Sequence, residues 1–171
     1  MFEFNKNYFE LFELPQTFAV DLDLLRQRYR QVLLKVHPDK FVHATDHERR
    51  LALQYSALVN EAWRVLSLPL QRAIYLLGLQ GVEIDLESNT IMSTEFLTQQ
   101  LEWREAIAQA NGQSAVLMQL ASKIEKLQQE LIQKLTELFN SSTPETLQQA
   151  KAQTLRLSFF DRLLKDIQER L

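Results

Sequence analysis

An all-α fold follows from three features of the sequence. Only three of its 171 residues are glycine and four are proline, so few positions force a helix to break. Leu, Gln, Glu and Ala, which cost little in a helix, are abundant. Along most of the chain the apolar residues recur at spacings of three and four, the period of one helical face. The length suits one ordinary domain or two small ones. With 46% hydrophobic residues there is enough apolar material for real cores.

In chain order, Tyr8 to Leu14 is aromatic-rich and predicts one or two helical turns closed by Pro15. Asp21 is an N-cap candidate, with Val20 and Leu25 placed for a hydrophobic staple. Leu22, Leu25, Tyr29, Val32 and Val36 then form one face of a helix. Off that face lie Arg26, Arg28, Arg30 and Lys35, with Asp23 the only acid between Leu22 and Val36. Such one-sided charge suits an acidic partner. His37-Pro38-Asp39 ends the helix, because Pro38 lacks the donor and disfavours α backbone at His37. Asp46 is the expected cap of a second long helix with the stripe Leu51, Tyr55, Leu58, Ala62 and Val65 or Leu66. Two such helices with a short polar connection predict an antiparallel hairpin. Pro69 opens a further helix from Leu70 to Gln80, and Gly81 is its natural end.

Residues 81–92 lack helical periodicity and read as a linker. Beyond them, a helix from about Thr94 to Ala110 stops at Asn111-Gly112. A second runs from about Ser114 to Phe139, with a seam of Leu117, Leu120, Ile124, Leu127, Leu131 and Leu138. Thr143-Pro144-Glu145 opens the third, whose seam is Leu147, Ala150, Thr154, Leu157, Phe160, Leu164, Ile167 and Leu171. The short breaks favour an up-down-up three-helix bundle over an extended coiled coil. On the first bundle helix Phe96, Trp103, Ile107 and Ala110 align, while Leu97 and Leu101 project about 100–140° away beside Glu102 and Glu105. On the third, Leu155, Phe159 and Leu163 form a second stripe. These extra stripes are either core shared with a second neighbour or an apolar patch with an acidic rim, as protein-recognition surfaces have.

Composition excludes several classes. No apolar run is long enough to span a membrane. Met1-Phe2-Glu3-Phe4 does not open a secretion signal. The absence of cysteine rules out disulfides, thiolate metal sites and a cysteine nucleophile, and the expected compartment is the cytoplasm. Residues 1–82 carry ten Lys and Arg against nine acids, and residues 83–171 nine against thirteen. An acidic second half is the wrong sign for a nucleic-acid platform. His37 and Asp39 make a conceivable acid–base pair, but no nucleophile motif, phosphate-binding glycine loop or carboxylate cluster accompanies them. His43 and His47 have the spacing of metal ligands, with Glu48 adjacent. Thr45 and Asp46 predict a helix start between them, so they need not share a face. No enzyme activity, metal or cofactor is expected.

The short N-terminal helix, the basic second helix, the loop His37-Pro38-Asp39-Lys40-Phe41 and the antiparallel third helix together resemble a J-domain, the DnaJ-type co-chaperone module. Pro69-Leu70-Gln71-Arg72-Ala73-Ile74-Tyr75-Leu76-Leu77, the linker from Gly81 and the three-helix second half are similar to the HscB family of J-proteins of iron–sulfur cluster assembly. This similarity covers essentially the whole chain. There is no glycine/phenylalanine-rich linker or cysteine zinc module of general DnaJ-type proteins, nor the N-terminal zinc-binding extension of some eukaryotic relatives.

The resemblance implies a J-domain over residues 2–80, a linker over 81–92 and a scaffold-binding bundle over 93–171. It implies that His37, Pro38 and Asp39, supported by Arg26, Arg28, Arg30 and Lys35, engage the Hsp70-type ATPase HscA and stimulate its ATP hydrolysis. It implies further that Leu97, Leu101, Glu102, Glu105 and Phe159 bind the cluster scaffold protein IscU. The family often has Met where this chain has Thr98. Three alternatives stay open on the residues: a J-protein with another client, a helical adaptor whose His-Pro-Asp turn is structural, and a metal-dependent hydrolase using His37, Asp39, His43 and His47.

Overall fold

Asp21 starts the first long helix: its side chain accepts hydrogen bonds from the backbone N–H groups of Asp23 and Leu24. The computed structural model describes residues 2–87 and 93–171, so the end of the expected linker lies outside the described residues. Among the described residues every regular element is helical. They are α1 (Tyr8–Leu11), α2 (Leu22–Val36), a 3-10 turn over Pro38–Phe41, α3 (Asp46–Ser67), α4 (Pro69–Leu79), α5 (Thr94–Gln109), α6 (Ser114–Phe139) and α7 (Pro144–Arg170). The chain divides into two compact units, Met1–Leu76 and Leu77–Leu171. The division falls inside α4.

In the first unit α2 and α3 pack as a hairpin. The Ser56 hydroxyl donates to the Val36 carbonyl, while Tyr29 donates to Asn60 and stacks on Trp63. Positions advance along α3 as they retreat along α2, so the pair is antiparallel. The core is built from Phe9, Phe12, Phe18, Leu25, Val36, Val59, Ala62 and Leu66. Tyr8 and Tyr75 stack with ring centroids 4.4 Å apart, which ties α1 to α4. Arg72 is buried: it donates to the Leu66 carbonyl at 2.6 Å and lies over the Phe18 ring. Desolvation lowers its guanidinium pKa to about 10.

Three expectations need correction here. The cap of α3 is Thr45, not Asp46: its hydroxyl accepts from Glu48 N–H, and the Glu48 carboxylate accepts from Thr45 N–H, a reciprocal capping box. The buried stripe of α3 is rotated to Ala52, Tyr55, Ser56, Val59 and Ala62, leaving Leu51 and Leu58 half-buried. Small residues allow the close approach of α2, which outweighs side-chain hydrophobicity in choosing the face. Leu22, at the first turn of α2, is exposed.

In the second unit α4 ends in a Schellman motif. Gly81 adopts φ +75°, Gly81 N–H donates to Gly78 O, and Val82 N–H donates to Leu77 O. Helices α6 and α7 form the main pair, and α5 packs on α7 through Phe96–Phe159 and Trp103–Phe160. Both contacts advance together along the two helices, so α5 and α7 run in the same sense, as an up-down-up bundle requires. Gly112, φ +79°, makes the first turn, and Thr143 with Pro144 starts α7 as the sequence predicts. On α6, Leu135 is fully buried and belongs to the seam, whereas Leu120, Leu127 and Leu138 are only half-buried. Leu171 is exposed and leaves the predicted seam of α7.

Candidate protein-interaction sites

The loop after α2 is held from beneath. The Val36 carbonyl, at the helix end, accepts the buried hydrogen bond from Ser56 Oγ at 3.1 Å. His37 turns extended (φ −58°, ψ 133°), as the following proline demands. Its carbonyl accepts from Lys40 N–H, closing the 3-10 turn. Phe41 packs on Phe2, and Phe2 on Tyr55 of α3. The backbone is therefore anchored while the functional groups face out.

Asp39 N–H donates to His37 Nδ1 at 3.3 Å, and an Asp39 carboxylate oxygen lies 3.4 Å from the same nitrogen. The Asp39 side chain is 87% exposed and that of His37 49%. Among the described residues no cation pairs with Asp39 other than His37 when protonated. A carboxylate so placed can meet a cation on a partner but activates no nucleophile of this chain.

Of the basic residues on α2, Arg30 and Lys35 are exposed and Arg26 faces Asp23 at 3.5 Å. Arg28 departs from the expected free basic surface. It is half-buried, and its Nη1 donates to Glu13 Oε2 at 2.8 Å. Arg30, Leu33, Leu34 and His37 border an open depression of about 270 Å³, with Leu34 66% exposed. The apolar pair Leu33 and Leu34 extends the loop's surface, and both stand off the stripe that the sequence predicts for α2.

On α5 the residues separate sharply. Leu97 is 41% and Leu101 59% exposed, and Glu102 and Glu105 are exposed beside them. Thr98 is exposed, its hydroxyl donating back to the Thr94 carbonyl. Phe159 is 1% exposed. Its ring meets Phe96 edge-on with centroids 5.6 Å apart and lies against Phe160, with the Arg104 guanidinium over it at 5.8 Å. Leu155, Phe159 and Leu163 are thus core, because α7 has a neighbour on each side. Phe159 sits within the support of α5 and offers no surface of its own. Of the residues expected to form the patch, those on α5 are exposed and Phe159 is not.

His43 and His47 are both exposed, and α3 begins between them. Among the described residues no group of His, Asp and Glu is arranged to hold a metal ion. No helix among them is long and apolar enough to cross a membrane. Two further residues shape the first site. Ser56 lies off the apolar stripe that the sequence predicts for α3, and Glu13, fifteen positions from Arg28, leaves no local signal.

Residues 7–75 match the family model of the DnaJ domain. Residues 92–168 match the model described as the HSCB C-terminal oligomerisation domain. The chain is 40% identical over 170 residues to a co-chaperone protein HscB homolog of Burkholderia vietnamiensis, covering 98% of this chain and 95% of the relative. It is 38% identical over 160 residues to a co-chaperone protein HscB homolog of Shewanella baltica, covering 92% of each. The crystal structure of human co-chaperone protein HscB superposes with a TM-score of 0.91 at 29% identity, over 98% of this chain and 83% of that one.

Proposed function

The chain belongs to the HscB family of J-domain co-chaperones, and from that premise we propose that it stimulates ATP hydrolysis by the Hsp70-type chaperone HscA and delivers the iron–sulfur scaffold protein IscU to it. The chain is a co-chaperone and not a catalyst, as its relatives are named. ATP, magnesium and the hydrolytic groups belong to the partner. The observation that carries the reading is the exposed His37-Pro38-Asp39 turn at the end of a basic helix, inside the matched DnaJ domain.

Asp39 reaches out to pair with a cation of the chaperone. Arg26, Arg30 and Lys35 steer α2 towards an acidic surface, with Arg28 joining once released from Glu13. Leu33 and Leu34 add apolar area beside the turn. In the second unit Leu97 and Leu101 give the scaffold an apolar contact, and Glu102 and Glu105 an acidic rim. Phe159 acts by holding α5. A cysteine-free chain fits work in the reducing cytoplasm.

The test is single-turnover ATP hydrolysis by HscA, measured with and without this protein and with and without IscU. Stimulation by the protein, further raised by IscU, is the expected result. Asp39→Asn should remove the stimulation while circular dichroism stays unchanged. A folded Asp39→Asn protein that still stimulates refutes the contact. Calorimetric titration of IscU into Leu97→Ala/Leu101→Ala should show weakened binding, and an unchanged affinity removes the patch.

A further inference from the structure

Glu13 is the only non-glycine residue with positive φ among the described residues, at φ 52°. It closes α1 at a position that favours glycine. Glu13 N–H donates to Glu10 O at 3.1 Å, and Leu14 N–H donates to Phe9 O at 2.9 Å. Phe9 and Leu14 are both buried, completing a Schellman motif. A residue with a Cβ is strained in this conformation, and an outlier of this kind invites the question of what its side chain does. Its carboxylate reaches across fifteen residues to Arg28 Nη1 at 2.8 Å. Arg28 Nε is shielded and has no partner, so Glu13 is the one anion holding this guanidinium among the described residues.

The Arg26–Asp23 pair is different. It is longer, lies within one helical turn, and leaves Asp23 95% exposed and free to swing away. Glu13 is fixed by its own capped backbone. Its pairing with Arg28 is therefore built into the fold, and it subtracts one positive charge from the face that ends at His37.

We infer that Glu13 is an intramolecular competitor: it occupies Arg28 with a carboxylate that an acidic surface of the Hsp70-type partner must displace, and so sets the affinity of the J-domain below what α2 alone would give. The inference rests on the reading of α2 as the chaperone contact. An incoming carboxylate takes the Arg28 N–H groups from Glu13, whose side chain, 71% exposed, returns to water. No bond is made or broken covalently.

The experiment titrates the full chain against the Hsp70-type ATPase and reads half-saturating concentration and maximal rate in single-turnover hydrolysis, at low and high salt. Glu13→Gln should lower the half-saturating concentration about two- to fivefold, the range an exposed ion pair spans. It should leave the maximal rate unchanged, and the gain should shrink at high salt. Glu13→Gly, which also relieves the backbone, should do the same. In an Arg28→Gln background Glu13→Gln should change nothing. An unchanged or raised half-saturating concentration for Glu13→Gln, or a gain that persists without Arg28, overturns the competitor role. Asp39→Asn separates the premise. If it abolishes stimulation while Glu13→Gln has no effect, only the competitor falls; if stimulation survives Asp39→Asn, the contact reading itself fails.

Discussion

Replacing Ser56 by alanine isolates the support beneath the His-Pro-Asp turn. Ser56 is buried on the α3 face that meets α2, and its hydroxyl donates to the carbonyl of Val36, the last residue of that helix. The carbonyl is one of those a helix end leaves without an intrahelical donor. Losing the bond removes about 1 kcal/mol of net interaction and leaves a buried acceptor bare, so the combined cost is about 1–2 kcal/mol. The chain carries one tryptophan in each unit: Trp63, stacked on Tyr29 with centroids 4.9 Å apart, and Trp103, edge-on to Phe160. In a Trp103→Phe background the fluorescence of Trp63 reports the first unit alone. With a urea m-value of about 1 kcal/mol per molar for a unit this small, the unfolding midpoint should fall by about 1–2 M. In a Trp63→Phe background, with Trp103 reporting, Ser56→Ala should leave the midpoint unmoved. A Trp63 midpoint shifted by less than about a quarter molar, well under the worth of one hydrogen bond, refutes the assignment of this bond as the clamp on α2. An equal shift at Trp103 refutes its confinement to the first unit.

The remaining predictions concern both units. Phe159→Ala should destabilise the second unit by about 3–5 kcal/mol, the cost of emptying a fully buried aromatic site, read as a lower urea midpoint at Trp103. Leu101→Ala, on an exposed side chain, should stay within about 0.5 kcal/mol in the same measurement. Desolvation pushes the Asp161 carboxyl above its ordinary value of 3.8, against a smaller opposing effect of its hydrogen bond from Gln128. The folded state then binds the Asp161 proton more tightly than the unfolded chain does, so its ionisation costs stability as pH rises through that raised value. Asp161 is still partly open to solvent, which screens the effect, so Asp161→Asn should raise the urea midpoint at pH 7 only slightly, and the advantage should vanish below pH 3.8. Glu13→Gly should leave thermal stability nearly unchanged. Relief of a left-handed Cβ, about 1–2 kcal/mol, is offset by about 0.5–1 kcal/mol of glycine chain entropy and about 0.2–1 kcal/mol of lost ion pair.

What could be read from the sequence was what is settled within about four residues. Asp21, Thr143-Pro144, Gly81 and Asn111-Gly112 mark helix ends because their partners lie in the adjoining turn. The cap of α3 was legible too, since Glu48 stands three residues after Thr45, the spacing of a capping box, and two after Asp46. The rotated face of α3 was not. Ala52 and Ser56 are weak hydrophobic signals, and only the approach of α2 makes them core. The exposed turn followed from a proline, and helical geometry set Leu97 and Leu101 apart from the α5 seam while leaving core and surface both open for them. Arg28 did not, because a carboxylate fifteen residues away reaches it through a backbone conformation that glutamate rarely takes.

Phe159 shows where periodicity stops being informative. A second apolar stripe on a helix has the same spacing whether it faces solvent or a third helix. On α7 it faces α5, and the ring is enclosed by Phe96, Phe160 and the Arg104 guanidinium. Truncating Phe159 together with Leu97 therefore mixes two effects: loss of a surface contact, and loosening of the helix that carries it. The two separate by temperature. A Leu97→Ala defect in scaffold binding should be the same in the cold and at any warmer temperature well below the unfolding midpoint, because the helix stays in place. A Phe159→Ala defect should recover on cooling to about 10–20 °C, where folded domains are typically most stable, since the contacting side chains on α5 are still present. If Phe159→Ala binds the scaffold no better in the cold than Leu97→Ala does, the ring is a direct contact that opens on binding, and its enclosed position in the free protein is not the one the partner meets.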